Sequence, residues 1–208
     1  IKNKTFFFGL LERNVNNAIQ IGGRKLGAGE PPYIIAEACV NHQGDFKIAE
    51  RMVYFAHAMG ADAIKFQMHI LEDEMLREAP RSDNFEESLW DVIDKTNFSV
   101  QQHASLMKLC ESLGIDYLCT PFSRKSSDVL EELGVKAFKT GSGELTNIPF
   151  MRHLAAKGKP VIVSTGMSLM EEIAETVQIF KDAGTPLALM HCVSAYPCPY
   201  NRVNIGMV

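Results

Sequence analysis

The residues best placed to do chemistry lie in one stretch, Lys139-Thr140-Gly141-Ser142-Gly143-Glu144-Leu145-Thr146-Asn147. A short apolar run before it (Val135, Ala137, Phe138) reads as a strand, and Ile148 to Lys157 after it reads as a helix. A lysine, a serine, two glycines and a carboxylate thus share one strand-to-helix turn. Glycines let backbone N–H groups approach an anion closely. Lys139 adds a point charge matched to phosphate, and Ser142 a short donor. Glu144 would repel phosphate, so its presence argues for proton or metal work. Taken alone, the turn fits equally well an ordinary βα turn with a solvated lysine and glutamate.

The elements that must position these groups follow a rhythm. Apolar runs over Tyr33–Ala38, Ala61–Phe66, Ile115–Cys119, Val135–Phe138, Pro160–Val163 and Leu187–Met190 read as strands. Helices lie between them. Asp45 caps the first, with Ile48, Met52, Phe55 and Met59 at helical spacing and Gly60 at its end. Ser99 caps another, carrying Leu106, Leu109 and Leu113 and closed by Gly114. Ser126–Leu133 ends at Gly134, and Leu169–Ala183 at Gly184. The strands are apolar without alternation, as when both faces are covered. Six β-α units in a row give a parallel α/β fold.

Two architectures share that rhythm. An open doubly wound sheet binds ligands mainly at one switch point. Here polar residues stand at every strand end: Glu37, Lys65 with Gln67, Thr120, Lys139, Ser164 and Ser194. Convergence of all strand ends on one face is the (β/α)8 TIM barrel arrangement. Such a barrel has eight strands in typically about 250 residues. About six units are present, so the C-terminal units are expected to be missing, through truncation or disorder. Residues 1–30 form an N-terminal extension with a hairpin around Gly22-Gly23. Residues 31–208 form the partial barrel. The charged stretch from Met68 to Asn97 sits where an active-site lid would sit, or is a solvated insertion packing another subunit.

Composition excludes several classes. Of the 208 residues 46% are hydrophobic and 22% charged, ordinary for a globular chain. A net charge of −4 argues against a nucleic-acid binder. The five cysteines are scattered at Cys39, Cys110, Cys119, Cys192 and Cys198. They match no paired zinc motif and read as reduced thiols in a cytoplasmic setting. Cys192 and Cys198 with His191 are weighed as a metal set against a strand-end core cysteine and a loop cysteine. Phe6–Leu11 is too short for a membrane span or a signal-peptide core. The chain opens on Ile1, so the native N-terminus is expected to lie elsewhere.

Lys65, Lys139, Ser142, Ser164 and Thr120 make a phosphate-binding set. Glu37, Glu144, Gln67 and Tyr196 are left for a polar co-substrate. The motifs are Ile35-Ala36-Glu37 with Asn41-His42-x-Gly44-Asp45, Gly60-Ala61-Asp62-Ala63-x-Lys65-Phe66-Gln67 and Thr120-Pro121-Phe122. They continue in Phe138-Lys139-x-Gly141-Ser142-Gly143-Glu144, Ser164-Thr165-Gly166-Met167 and His191-Cys192-x-Ser194-x-Tyr196-Pro197. In this order they resemble the sialic acid synthase family, from about Ile19 to the last residue. That family includes N-acetylneuraminate, legionaminate and pseudaminate synthases and spore-coat polysaccharide relatives.

The resemblance implies a condensation of phosphoenolpyruvate with an open-chain N-acetyl-hexosamine, giving a nine-carbon 2-keto acid and phosphate. It implies a cytoplasmic homodimer, a barrel followed by an antifreeze-like domain, and Mn2+ or Mg2+. By the same resemblance Lys65, Thr120, Lys139, Ser142 and Ser164 hold phosphoenolpyruvate, with Ser194 beside them where some members have Asn. Gln67 and Tyr196 contact the sugar, Glu37 binds sugar hydroxyls or positions water, and Glu144 is the acid/base group. The family's two metal-ligating histidines belong to later motifs that do not occur in these residues. None of His42, His57, His69, His103, His153 and His191 is promoted to ligand. Residues 1–208 are therefore expected to be incomplete as a catalyst. A Schiff-base aldolase using Lys139 or Lys65, and a non-catalytic sugar-phosphate-binding fragment, are the alternatives.

Overall fold

The computed structural model describes residues 19–78 and 86–207. Six parallel strands form one curled sheet in strict chain order. They are β3 (Ile35–Glu37), β4 (Ala63–Met68), β5 (Asp116–Pro121), β6 (Phe138–Thr140), β7 (Val161–Ser164) and β8 (Leu187–Met190). The order never reverses, so there is no switch point of the doubly wound kind. This is the barrel wall, as the strand ends imply. Among the described residues its two edges are β3 and β8.

The outer layer is α1 (Phe46–Ala58), α4 (Val100–Leu113), α5 (Arg124–Leu133), α6 (Ile148–Ala156) and α7 (Met170–Ala183). Two short helices, α2 (Leu71–Glu74) and α3 (Leu89–Thr96), lie in the charged stretch after β4. The caps stand where the sequence puts them. Asp45 Oδ1 accepts from the backbone N–H groups of Lys47 and Ile48 at 2.8 and 3.2 Å. Ser99 and Gln102 close a reciprocal capping box. Gly114 ends α4 with a φ of 73°, a conformation that costs glycine least.

The face of α1 differs from the sequence reading. Its buried residues are Ala49, Val53 and Ala56, whereas Phe55 and Met59 are 66% and 80% exposed. Both sets recur at helical spacing. The small set faces the sheet because it lets the helix lie close to it; Met52 packs at its border, and Phe55 and Met59 point away.

Side chains alternate between two cores. Phe66, Phe138, Leu118's neighbours Tyr117 and Cys119, Leu130, Phe150, Leu154 and Phe180 fill the space between sheet and helices. Ala63, Leu118, Ala137 and Ile162 face the concave side and pack with Ile21. Ile21 comes from the hairpin of β1 (Ile19–Ile21) and β2 (Arg24–Leu26), which plugs this end of the barrel. Charges pin the plug. Arg24 pairs with Asp62, and Asp116 accepts from Tyr33 Oη at 2.8 Å and from Lys136 Nζ at 2.6 Å. Gly22 turns there with a φ of 58°, and a Cβ on it would lie 3.0 Å from Asp116 Oδ1.

The concave face changes character within two residues. Ala63 leads to Lys65, Leu118 to Thr120, Ala137 to Lys139 and Ile162 to Ser164. Strand side chains at i and i+2 share a face. An apolar floor is thus followed, one layer up, by a polar ring. No helix among the described residues is long and apolar enough to cross a membrane.

Candidate active site

Two lysines dominate the polar ring, each only 5% exposed. Lys65 Nζ lies 2.8 Å from Glu37 Oε2 and donates to Thr120 Oγ1 at 3.1 Å. Lys139 Nζ donates to Ser164 Oγ and, at 2.6 Å, to the carbonyl of Thr140. Burial, and then repulsion by Lys65, holds Lys139 down to about 8. One carboxylate, Glu37, faces two buried ammonium groups. The ring therefore carries surplus positive charge away from water, which a bound dianion would relieve.

Ser142 and Ser194 converge beyond the neighbouring ends of β6, β7 and β8. Ser142 opens a 3-10 turn over Ser142–Glu144, directly after β6. A Cβ on Gly166 would fall 2.8 Å from Ser142 Oγ and closer still to Ser194 Oγ. The backbone after β7 thus passes between two hydroxyls, and only a glycine fits there. Lys65, Thr120, Lys139, Ser142, Ser164 and Ser194 occupy one contiguous polar region fed by β4 to β8.

Glu144 is half-buried at its rim. Burial pushes its carboxyl up; a hydrogen bond from Asn147 Nδ2 at 3.0 Å opposes this, and the charge of Glu74 adds to it. A carboxyl raised in this way can hold a proton nearer neutral pH, which is what acid/base work needs. Cys39, also near Lys65, has its thiol pushed up by burial. Its Sγ donates to Glu37 Oε2 at 3.5 Å.

Two sequence candidates stand differently. Gln67 is partly buried and faces His69, with its Oε1 3.4 Å from His69 Nε2. Tyr196 is 98% exposed and touches none of the ring. His191 Nε2 bonds the carbonyl of Val203 at 2.8 Å rather than joining Cys192 and Cys198. Among the described residues no group of three His, Cys, Asp or Glu side chains converges to hold a metal ion. These residues alone do not fit a metal centre.

Sequence reasoning missed His69 and Glu74. Lys65, Gln67 and His69 alternate along one face of the β4 tip, which was the available signal. The lid reading of Met68–Asn97 hid it. That stretch is anchored at both ends: Asn97 Nδ2 donates to the carbonyl of His69 at 2.7 Å, and Asn97 Oδ1 accepts from the His69 N–H at 3.4 Å.

The chain is similar to several known proteins. The chain is 37% identical over 195 residues to the N,N'-diacetyllegionaminic acid synthase of Legionella pneumophila, covering 88% of this chain and 55% of that one. It is 34% identical over 194 residues to human N-acetylneuraminate-9-phosphate synthase, covering 89% and 53%. Among solved structures, the N-acetylneuraminic acid synthetase of Leptospira borgpetersenii superposes with a TM-score of 0.81 at 32% identity, covering 92% of this chain and 64% of that one. The chain spans about half the length of the curated relatives it matches. Residues 52–208 match the sequence profile of the NeuB family, and the chain belongs to that family of sialic acid synthases.

Proposed function

We propose that the complete protein condenses phosphoenolpyruvate with an open-chain N-acetyl-hexosamine and water, giving a nine-carbon 2-keto sugar acid and phosphate. The observation that carries this is the polar ring: two buried lysines and three serines set on an apolar floor. Lys65, Lys139, Thr120, Ser142, Ser164 and Ser194 take the phosphate and carboxylate. Point charges fit an anion whose phosphate must later depart. Gln67 and Glu37 lie at the rim, where the sugar enters. Tyr196 belongs to this proposal only if the segment after β8 folds inward over the sugar.

The chemistry balances as follows. C3 of the enol attacks the sugar aldehyde, forming the new carbon–carbon bond. The aldehyde oxygen gains a proton, and C2 is left cationic. Water adds to C2 and loses a proton; the resulting hemiketal phosphate collapses to the ketone and expels phosphate. Glu144, with its raised carboxyl, moves these protons. A divalent cation, Mn2+ or Mg2+, belongs to the proposal with ligands from outside residues 1–208, as does assembly into a homodimer. The acceptor is N-acetylmannosamine or a related diacetamido sugar.

The test is phosphate release from phosphoenolpyruvate by the complete gene product, with Mn2+, with and without N-acetylmannosamine. Release that needs the sugar and stops with chelator is the expected result. Absence of release with any N-acetyl-hexosamine, while phosphoenolpyruvate still binds, overturns it in favour of a binding protein. One observation favours a second reading. Lys139 at about 8 is partly unprotonated in mildly alkaline solution, as a Schiff-base lysine requires. Borohydride trapping of a pyruvate adduct on Lys139 would establish that aldolase instead.

A further inference from the structure

The side chains of His69 and Glu74 are 5% and 10% exposed, and neither belongs to the anion-binding set. His69 Nδ1 lies 2.9 Å from both oxygens of Glu74. Its Nε2 faces Gln67 Oε1 at 3.4 Å. Both ring nitrogens thus point at oxygens, and an N–H on Nε2 would donate to the Gln67 carboxamide oxygen.

The ring is held on every side. It stacks on Phe122 with centroids 4.3 Å apart and planes 15° apart. The peptide of His69 is bracketed by the Asn97 carboxamide. A side chain that only filled space would not need its main chain, its face and both its nitrogens fixed. The last free group in the chain Glu74–His69–Gln67 is the NH2 of Gln67, on the face it shares with Lys65.

We infer that Glu74 and His69 are positioning residues: they hold Gln67 by its carboxamide oxygen, so that its NH2 is what the site offers to the acceptor sugar. This rests on the proposed function for the identity of that acceptor. It makes the site selective for an acceptor oxygen at this point, a hydroxyl or an acetamido carbonyl, and against a bare ammonium. An unanchored glutamine can present either end of its amide; an anchored one presents a single end.

The test uses the complete gene product and His69→Phe, which keeps the ring stacked on Phe122 and removes both nitrogens. The expected result is a KM for the sugar raised about tenfold, the size of one lost oriented hydrogen bond. The KM for phosphoenolpyruvate and kcat should stay close to their original values. Gln67→Ala should raise the sugar KM in the same way, and the double variant should be no worse than Gln67→Ala alone, because the two act as one unit. An unchanged sugar KM in His69→Phe, or penalties that multiply in the double variant, overturns the inference.

A second measurement is independent of turnover. Ring 15N NMR of His69 should show an N–H on Nε2, and Gln67→Leu should move the Nε2 signal while leaving Nδ1 in place. A bare Nε2, or a spectrum indifferent to Gln67, overturns the inference. If no sugar supports phosphate release, the proposed function fails by that result alone, and the relay stands or falls on the 15N signals.

Discussion

Lys139 is the residue on which the anion site turns. Its ammonium is buried, and Lys65 repels it, so in the free protein it loses its proton above about 8. A bound dianion reverses that preference. Affinity for phosphoenolpyruvate should therefore be flat below pH 8 and weaken above it by about tenfold per pH unit, the limit for one linked proton. Calorimetric titration between pH 7 and 9.5 checks this, and Lys139→Met should abolish the dependence along with most of the affinity. Glu144 is the proposed acid/base group. Glu144→Gln should leave phosphoenolpyruvate binding nearly intact and lower turnover by about two orders of magnitude or more; a stopped assay for phosphate would detect unchanged turnover and so remove the role. Four residues of the polar ring, Lys65, Thr120, Lys139 and Ser164, could be read together in the sequence because each stands two positions beyond an apolar floor residue at a strand end; Ser142 and Ser194 lie in the turns beyond and follow no such rule. His69 and Glu74 were not legible, because their pairing depends on how α2 folds back over β4.

At the level of elements, the strand–helix rhythm could be read because glycines and capping serines mark nearly every boundary. Which face of α1 is buried could not. Ile48, Met52, Phe55 and Met59 keep helical spacing as well as Ala49, Val53 and Ala56 do, and only the closeness of helix to sheet separates them. The seam between α4 and β5 holds a feature with a measurable signature. His103 is fully buried, its Nδ1 is 2.6 Å from Tyr117 Oη, and its Nε2 has no partner. Burial, with His42 and His69 nearby, lowers it to about 4. A base lowered in this way keeps its full contribution above its ordinary value of about 6.5. Below that the unfolded chain takes the proton first, and stability falls until about pH 4, by about 3 kcal/mol in all for this one group. His42, lowered by burial as well, acts in the same direction. Urea unfolding at pH 7 and pH 5 should show about 2 kcal/mol of this loss, and His103→Leu should lessen the difference between the two.

For the whole molecule, six consecutive parallel strands were enough to separate a barrel from an open sheet, since polar residues at every strand end already demanded a common mouth. The role of the hairpin was not evident from its Gly-Gly turn, because nothing local says that Ile21 will become the floor beneath Lys65 and Lys139. That floor has a kinetic meaning. An anion resting on the polar ring has packed hydrocarbon below it and, in the proposed reaction, the sugar above it. Arrival and departure must then follow a stack: the anion first in and the phosphate last out. Phosphate should accordingly inhibit in competition with phosphoenolpyruvate but not with the sugar, and product-inhibition patterns of the complete protein would show whether the plug imposes that sequence.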